Sequence, residues 1–107
     1  MALDYSPTFQ ETPATTITTG RKVIAAAGTA ERLTAASTAA RLVVITAETD
    51  NTGVIVVGGA SVVATQATRQ GTPLTAGATI TIPIDDLYKI YLDTTVNGDG
   101  VTYTSLV

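Results

Sequence analysis

Between Lys22 and Val107, glycine, proline or Asn/Asp pairs break every apolar run before it reaches the length of an ordinary helix. The runs that remain are β-branched and recur at roughly 8–12-residue spacing, the pattern of many short strands. They are Lys22–Ala26 (KVIAA), Glu31–Ala35 (ERLTA), Arg41–Ala47 (RLVVITA), Val54–Val57 (VIVV) and Ser61–Thr65 (SVVAT). The last third alternates most clearly. Ile80, Ile82 and Ile84 fall on one side and Thr79 and Thr81 on the other, as in a strand with one buried face. In LYKIYL, Tyr88, Ile90 and Leu92 oppose Leu87, Lys89 and Tyr91, and in VTYTSLV, Val101 and Tyr103 oppose Thr102 and Thr104. Polar loops are expected at Glu48–Gly53 and Arg69–Gly77, a tight turn at Gly58-Gly59 and a polar corner at Asp85-Asp86. Asn97-Gly98-Asp99-Gly100 carries the strongest hairpin signal, because both pairs accept positive φ.

The alanine-rich stretch from Ala25 to Arg41 is the one helical alternative. Gly28 and several threonines interrupt it and no i, i+4 apolar stripe emerges, so strand–turn–strand is expected there. Seven or eight strands in one chain of 107 residues predict a single all-β domain, an antiparallel β-sandwich with jelly-roll-like winding. Two strands, RLVVITA and VIVV, are apolar on both faces. A sandwich buries only one face of each sheet, so the second face is expected against another subunit or the arm described next.

Residues 1–20 differ from the body, with Pro7 and Pro13 and sparse large apolar groups. No helical or strand period is read through the whole segment. The expected division is an extended N-terminal arm over 1–20 and the sandwich over 21–107. Leu3, Tyr5 and Phe9, the last being the chain's single Phe, are costly to leave in water. They are the candidate partner-binding residues, expected to lie on a neighbouring subunit, the plainer reading being a frayed end. MALDYSPTFQ lacks a basic segment followed by an apolar core, so no signal peptide is expected.

Composition removes much chemistry. The chain has no His and no Cys, so imidazole catalysis, disulfides and thiolate zinc sites are out of reach. Six Lys/Arg against nine Asp/Glu give a net charge of −3, a poor basis for the many phosphate contacts of nucleic-acid binding. No apolar run approaches the roughly 20 residues of a membrane helix. Absence of cysteine fits synthesis in a reducing cytoplasm. Ser6, Ser37, Ser61 and Ser105 have no base at a recognisable spacing, and Lys22 and Lys89 read as solvated strand positions, so no catalytic residues are assigned. Gly58-Gly59-Ala60-Ser61 lacks the Lys and helix of a phosphate loop. Glu48, Asp50 and Asn51 in one loop, and Asp93, Asn97 and Asp99 in another, offer oxygen ligands without an EF-hand series. They read as turn formers, and no metal or cofactor is expected. Asp85 and Asp86 are adjacent and would point to opposite faces, which does not make an acid–base pair.

Gly20–Thr34, Asn51–Gly59 (NTGVIVVGG), Pro73–Ile82 and Ile84–Val101 (with IDDLYKIYLD and VNGDGV) together resemble small virion proteins of tailed bacteriophages. The resemblance covers the body and leaves out the arm, and its motifs are turns and strands. It implies a non-enzymatic structural protein, a capsid decoration or cement protein that binds the outside of the assembled head as a homotrimer and bridges subunits of the major capsid protein. The capsid shell is then a second surface expected for Leu3, Tyr5 and Phe9. A tail, neck or fibre component is the alternative within that class. A receptor- or carbohydrate-binding module is the alternative outside it, weakened by the lack of Trp.

Overall fold

The computed structural model describes residues 13–107. Among them the chain is all-β: β1 (Ile17–Val23), β2 (Glu31–Arg32), β3 (Leu42–Ala47), β4 (Ile55–Gly58), β5 (Thr72–Leu74), β6 (Thr79–Ile82), β7 (Tyr91–Thr94) and β8 (Gly100–Leu106). They form two antiparallel four-stranded sheets, ordered β1-β8-β3-β6 and β2-β7-β4-β5. The pairing is nested. β1 pairs with β8, β2 with β7, β3 with β6 and β4 with β5. Residues 17–106 are therefore a long antiparallel ribbon folded over on itself, with the first and last strands side by side in the first sheet.

Alternation decides which side chains enter the core. Along β3, Val43, Ile45 and Ala47 are buried while Leu42, Val44 and Thr46 are half-buried on the other face. Ile55 and Val57 of β4, Leu74 of β5, Leu92 of β7 and Val101 of β8 join them, with Ile24, Leu33, Leu87 and Ile90 from the connections. The core is aliphatic, and Tyr103 borders it as the packed aromatic.

Several sequence expectations need correction. The first strand is Ile17–Val23 rather than Lys22–Ala26, so the last four residues of the expected arm belong to the sandwich. They are held by β8, which a local reading cannot see: Ile17 faces Leu106 and Gly20 faces Tyr103. Glu31–Ala35 shrinks to a two-residue strand. Ser61–Thr65 is not a strand and makes one isolated bridge, Val63 with Gln70. Thr72–Leu74, inside an expected loop, pairs with β4. Leu87–Lys89 is a single 3-10 turn, because Asp86 caps it by accepting from the Tyr88 N–H at 2.9 Å.

Asn97–Gly100 is not a hairpin turn either. β7 and β8 lie in different sheets, so Thr95–Asp99 carries the chain across the sandwich. Gly98 takes φ +88°, but Gly100 does not have positive φ. The reason for Gly100 is space: a Cβ there would lie 2.8 Å from the Lys22 carbonyl oxygen.

Candidate functional site

The outer faces of the two sheets differ. On the β2-β7-β4-β5 sheet, Val56 points outward yet is fully buried, because Val62 and Ala64 fold back over it, with Ala30, Val54 and Tyr91 around them. This is a second, small core. Hence the apolar second face of VIVV is covered by its own chain, and it no longer argues for a partner. Asp93, the cross-strand neighbour of Val56, fastens the cover. It is 1% exposed. Its Oδ1 accepts from the N–H groups of Gly28 and Thr94 at 2.9 and 2.8 Å, and Oδ2 accepts from Ala64 at 2.8 Å.

No described segment covers the outer face of the β1-β8-β3-β6 sheet in this way. Three rows of cross-strand neighbours run across it: Arg21–Thr102–Thr46–Thr79, Thr19–Thr104–Val44–Thr81, and Ile17–Leu106–Leu42. Thr19, Thr79, Thr81 and Thr102 are exposed, and Thr46 and Thr79 join hydroxyls at 2.9 Å. Ile17 is 70% exposed. The face is a threonine field with an aliphatic row at the end where the chain enters β1. Each threonine offers a methyl for packing and a hydroxyl that both donates and accepts. Of the two strands read as apolar on both faces, β3 has its second face half-buried and without such a cover among the described residues.

Beside this sheet, an open groove of about 710 Å³ lies between β1 and the segment 31–38, lined by Arg21, Lys22, Arg32, Leu33, Tyr88 and Tyr103 among others. Its charges are tied. Arg21 holds Glu48 through two bonds, one of 2.9 Å from Nη2, and this contact lowers the Glu48 carboxyl. Lys22 meets Glu31 at 2.9 Å. Partial burial would raise the Glu31 carboxyl, but Lys22 and the N–H groups of Ala26 and Ala25 outweigh it and hold it below its ordinary value. The Arg32 guanidinium lies 3.7 Å from the Tyr88 ring centre and 4.7 Å from that of Tyr91, a cation–π sandwich.

The candidate partner residues Leu3, Tyr5 and Phe9 lie outside the described residues. The oxygen-rich loops are brought together, but as staples rather than as a metal cage. Asp99 accepts from the Thr52 and Gly53 N–H groups at 3.2 and 2.8 Å. Asn51 exchanges two bonds with the Gly100 backbone, and Asn97 accepts from the Ala27 N–H at 2.7 Å. Among the described residues no three His, Cys, Asp or Glu cluster as metal ligands. Asp86 accepts from the Ser37 hydroxyl and from the Thr38 and Tyr88 N–H groups, which together lower its carboxyl. Asp85 pairs with Lys89 at 2.9 Å. The threonine field itself escaped sequence reading, since only the sheet order sets Thr19, Thr104 and Thr81 in one row. No family model, curated protein or solved structure matches the chain.

Proposed function

We propose that this chain is a non-enzymatic structural protein of a phage virion, a decoration protein that binds the outer surface of an assembled head as a homotrimer and bridges major capsid protein subunits. The observation that carries the reading is the contrast between the two outer faces: the centre of one, at Val56, is covered by its own chain, and the other presents a broad threonine-lined field with an aliphatic row at its end. Such a face suits extended contact with another protein. The nested strand pairing is what a jelly-roll winding requires. Cross-bridging needs no strong single contact, because simultaneous weak ones add avidity, and a protein that binds only the assembled shell stabilises it by mass action.

The same reading leaves catalysis without machinery. The acidic side chains at Asp93, Asp99 and Asp86 are occupied in holding backbone N–H groups. A carbohydrate-binding role would need open aromatic faces; Arg32 lies over Tyr88 and Tyr91.

The test is mass spectrometry of purified particles from the virus that encodes the chain, separating DNA-filled heads that lack tails from complete virions. A decoration protein is found on the tailless heads as well as on complete virions. Presence on complete virions alone identifies a tail, neck or fibre component, and absence from both defeats the virion reading. A glycan array on the purified protein addresses the carbohydrate alternative.

A further inference from the structure

We propose that the free edge of β1, with the groove behind it, takes residues 3–10 of a second copy of this chain as an added strand. The proposal deepens the self-association in the reading above and rests on that part of it alone, not on a virion location.

The edge is open and its polarity is known. β1 pairs with β8 and has no second neighbour among the described residues. Thr16 and Val107 exchange N–H···O bonds at 3.0 Å in both directions. Antiparallel ladders alternate bonded and non-bonded pairs, so Thr18, Gly20 and Lys22 bond to β8. Ile17, Thr19, Arg21 and Val23 then turn their N–H and C=O groups to the free side. A seven-residue strand with unpaired backbone groups is a template for strand addition.

The occupant is legible in the sequence at finer grain than the whole arm. Leu3, Tyr5, Pro7 and Phe9 alternate with Asp4, Ser6, Thr8 and Gln10, a period-2 pattern. Proline fits an added strand only where its missing N–H faces away from the ladder. That requirement places the odd residues outward in backbone direction and lets Asp4, Ser6, Thr8 and Gln10 bond to β1. Paired residues share a face. The even, polar residues therefore fall on the face of Thr19 and Arg21, and the odd, apolar ones on the face of Gly20 and Lys22. The second face is the groove side, where Tyr103 lies over Gly20 and Leu33, Ala35 and Ala36 form the wall. One parity thus satisfies the proline, the polar residues and the apolar residues together. Charge is compatible: Lys22 and Arg21 are each paired with a carboxylate, and Arg32, which meets two rings and a carbonyl instead, is the groove cation left to favour an acidic segment, while residues 1–12 hold Asp4 and Glu11 and no Lys or Arg.

A second copy is favoured over the chain's own arm by the connection. The N–H groups of Thr15 and Thr16 both bond the Val107 carbonyl, so the chain enters β1 from beyond the end of the sheet. A return along the same edge would need a tight hairpin reversal, yet Phe9–Thr16 (FQETPATT) contains no Gly, Asn or Asp to supply the positive φ of such turns, and its one turn former, Pro13, fixes a negative φ. Twelve extended residues reach about 40 Å, enough to lie along a neighbour's edge.

The chain has no cysteine, so introduced thiols report contact cleanly. Full-length protein with Ser6→Cys or Thr8→Cys is mixed with mass-tagged full-length protein carrying Thr19→Cys and treated with a short bis-maleimide. The proposal expects a mixed dimer formed severalfold more than with Thr18→Cys, whose side chain lies on the opposite face. A chain carrying both Thr8→Cys and Thr19→Cys should give covalent oligomers. A cyclised monomer as its main product would assign the edge to the chain's own arm and overturn the proposal, as would equal or absent linking at positions 18 and 19. Matching thermal melts of the single variants and the parent secure the comparison. Sedimentation of the unsubstituted protein separates the failures: an oligomer without the cross-link defeats this inference alone, and a monomer defeats self-association too.

Discussion

Asp93 shows how a residue that sequence reading places among possible metal ligands becomes a structural clamp. Its two oxygens take three backbone N–H groups from Gly28, Ala64 and Thr94. Removing the carboxylate strands these donors at a site that is 1% exposed, and each unsatisfied donor costs about 1–3 kcal/mol. Asp93→Ala is expected to lose about 3 kcal/mol or more in urea unfolding, with Asp93→Asn losing less because one acceptor oxygen remains. An unchanged midpoint in Asp93→Ala would refute the clamp. The glycines beside it divide by cause. Gly98 has φ +88° with open space around it, whereas Gly100 is confined by backbone, its missing Cβ 2.8 Å from the Lys22 oxygen. Gly98→Ala is expected to cost about 1 kcal/mol from conformation. Gly100→Ala should cost more, about 1–3 kcal/mol, since β1 must shift to admit the methyl. Equal thermal melts for the two would contradict this division.

At the scale of elements, the bonding phase of β1 makes a sharp prediction about proline. Thr18→Pro removes an N–H that bonds to β8 and leaves its acceptor unpaired, which should cost about 1–3 kcal/mol, whereas Thr19→Pro removes one on the free edge and should be tolerated better. Urea midpoints in the reverse order would show that the phase is wrong. Much of the element pattern was legible beforehand: β3, β4, β6 and β8 coincide within a residue or two with the β-branched runs read at 41–47, 54–57, 79–84 and 101–107. In each, alternation or β-branching agrees with burial. The failures have physical causes of three kinds. Ile17–Gly20 and Thr72–Leu74 pair through partners distant in sequence, β8 and β4, so nothing local marks them. Val62 and Ala64 sit in a β-branched run, but they cover a sheet instead of extending one. Leu87–Lys89 alternates like a strand, yet the Asp86 cap and the bond from the Leu87 N–H to the Thr38 carbonyl, 2.9 Å, curl it into a turn. The site was less legible than the fold. The expected partner residues Leu3, Tyr5 and Phe9 lie outside the described residues, and the threonine field exists only once four strands are set side by side.

Among the described residues three exposed or half-buried ion pairs, Arg21–Glu48, Lys22–Glu31 and Lys89–Asp85, join opposite charges, and the chain has no histidine. Glu31, Glu48, Asp85 and Asp86 all have carboxyls lowered by their partners. A group whose folded pKa lies below its unfolded one stabilises the fold above the unfolded value and loses that contribution as pH falls through the folded one. Melting temperature should therefore hold level from about pH 5.5 to 7 and fall below about pH 4, where ordinary carboxyls and then these take up protons. A step between pH 6 and 7, the range of the histidine this chain lacks, would contradict it. Salt should weaken the pairs, because they are solvent-accessible. What distinguishes the molecule at this scale is the asymmetry of its two faces. On one sheet the outer face around Val56 is covered by the chain itself; on the other, the threonine field, the aliphatic row and the edge of β1 have no such cover among the described residues, and these are the surfaces proposed above for self-association. Analytical ultracentrifugation of the full-length protein at micromolar concentration tests this most directly. The account predicts a single species at three times the 10.9 kDa chain mass; a monodisperse monomer at that concentration would contradict it.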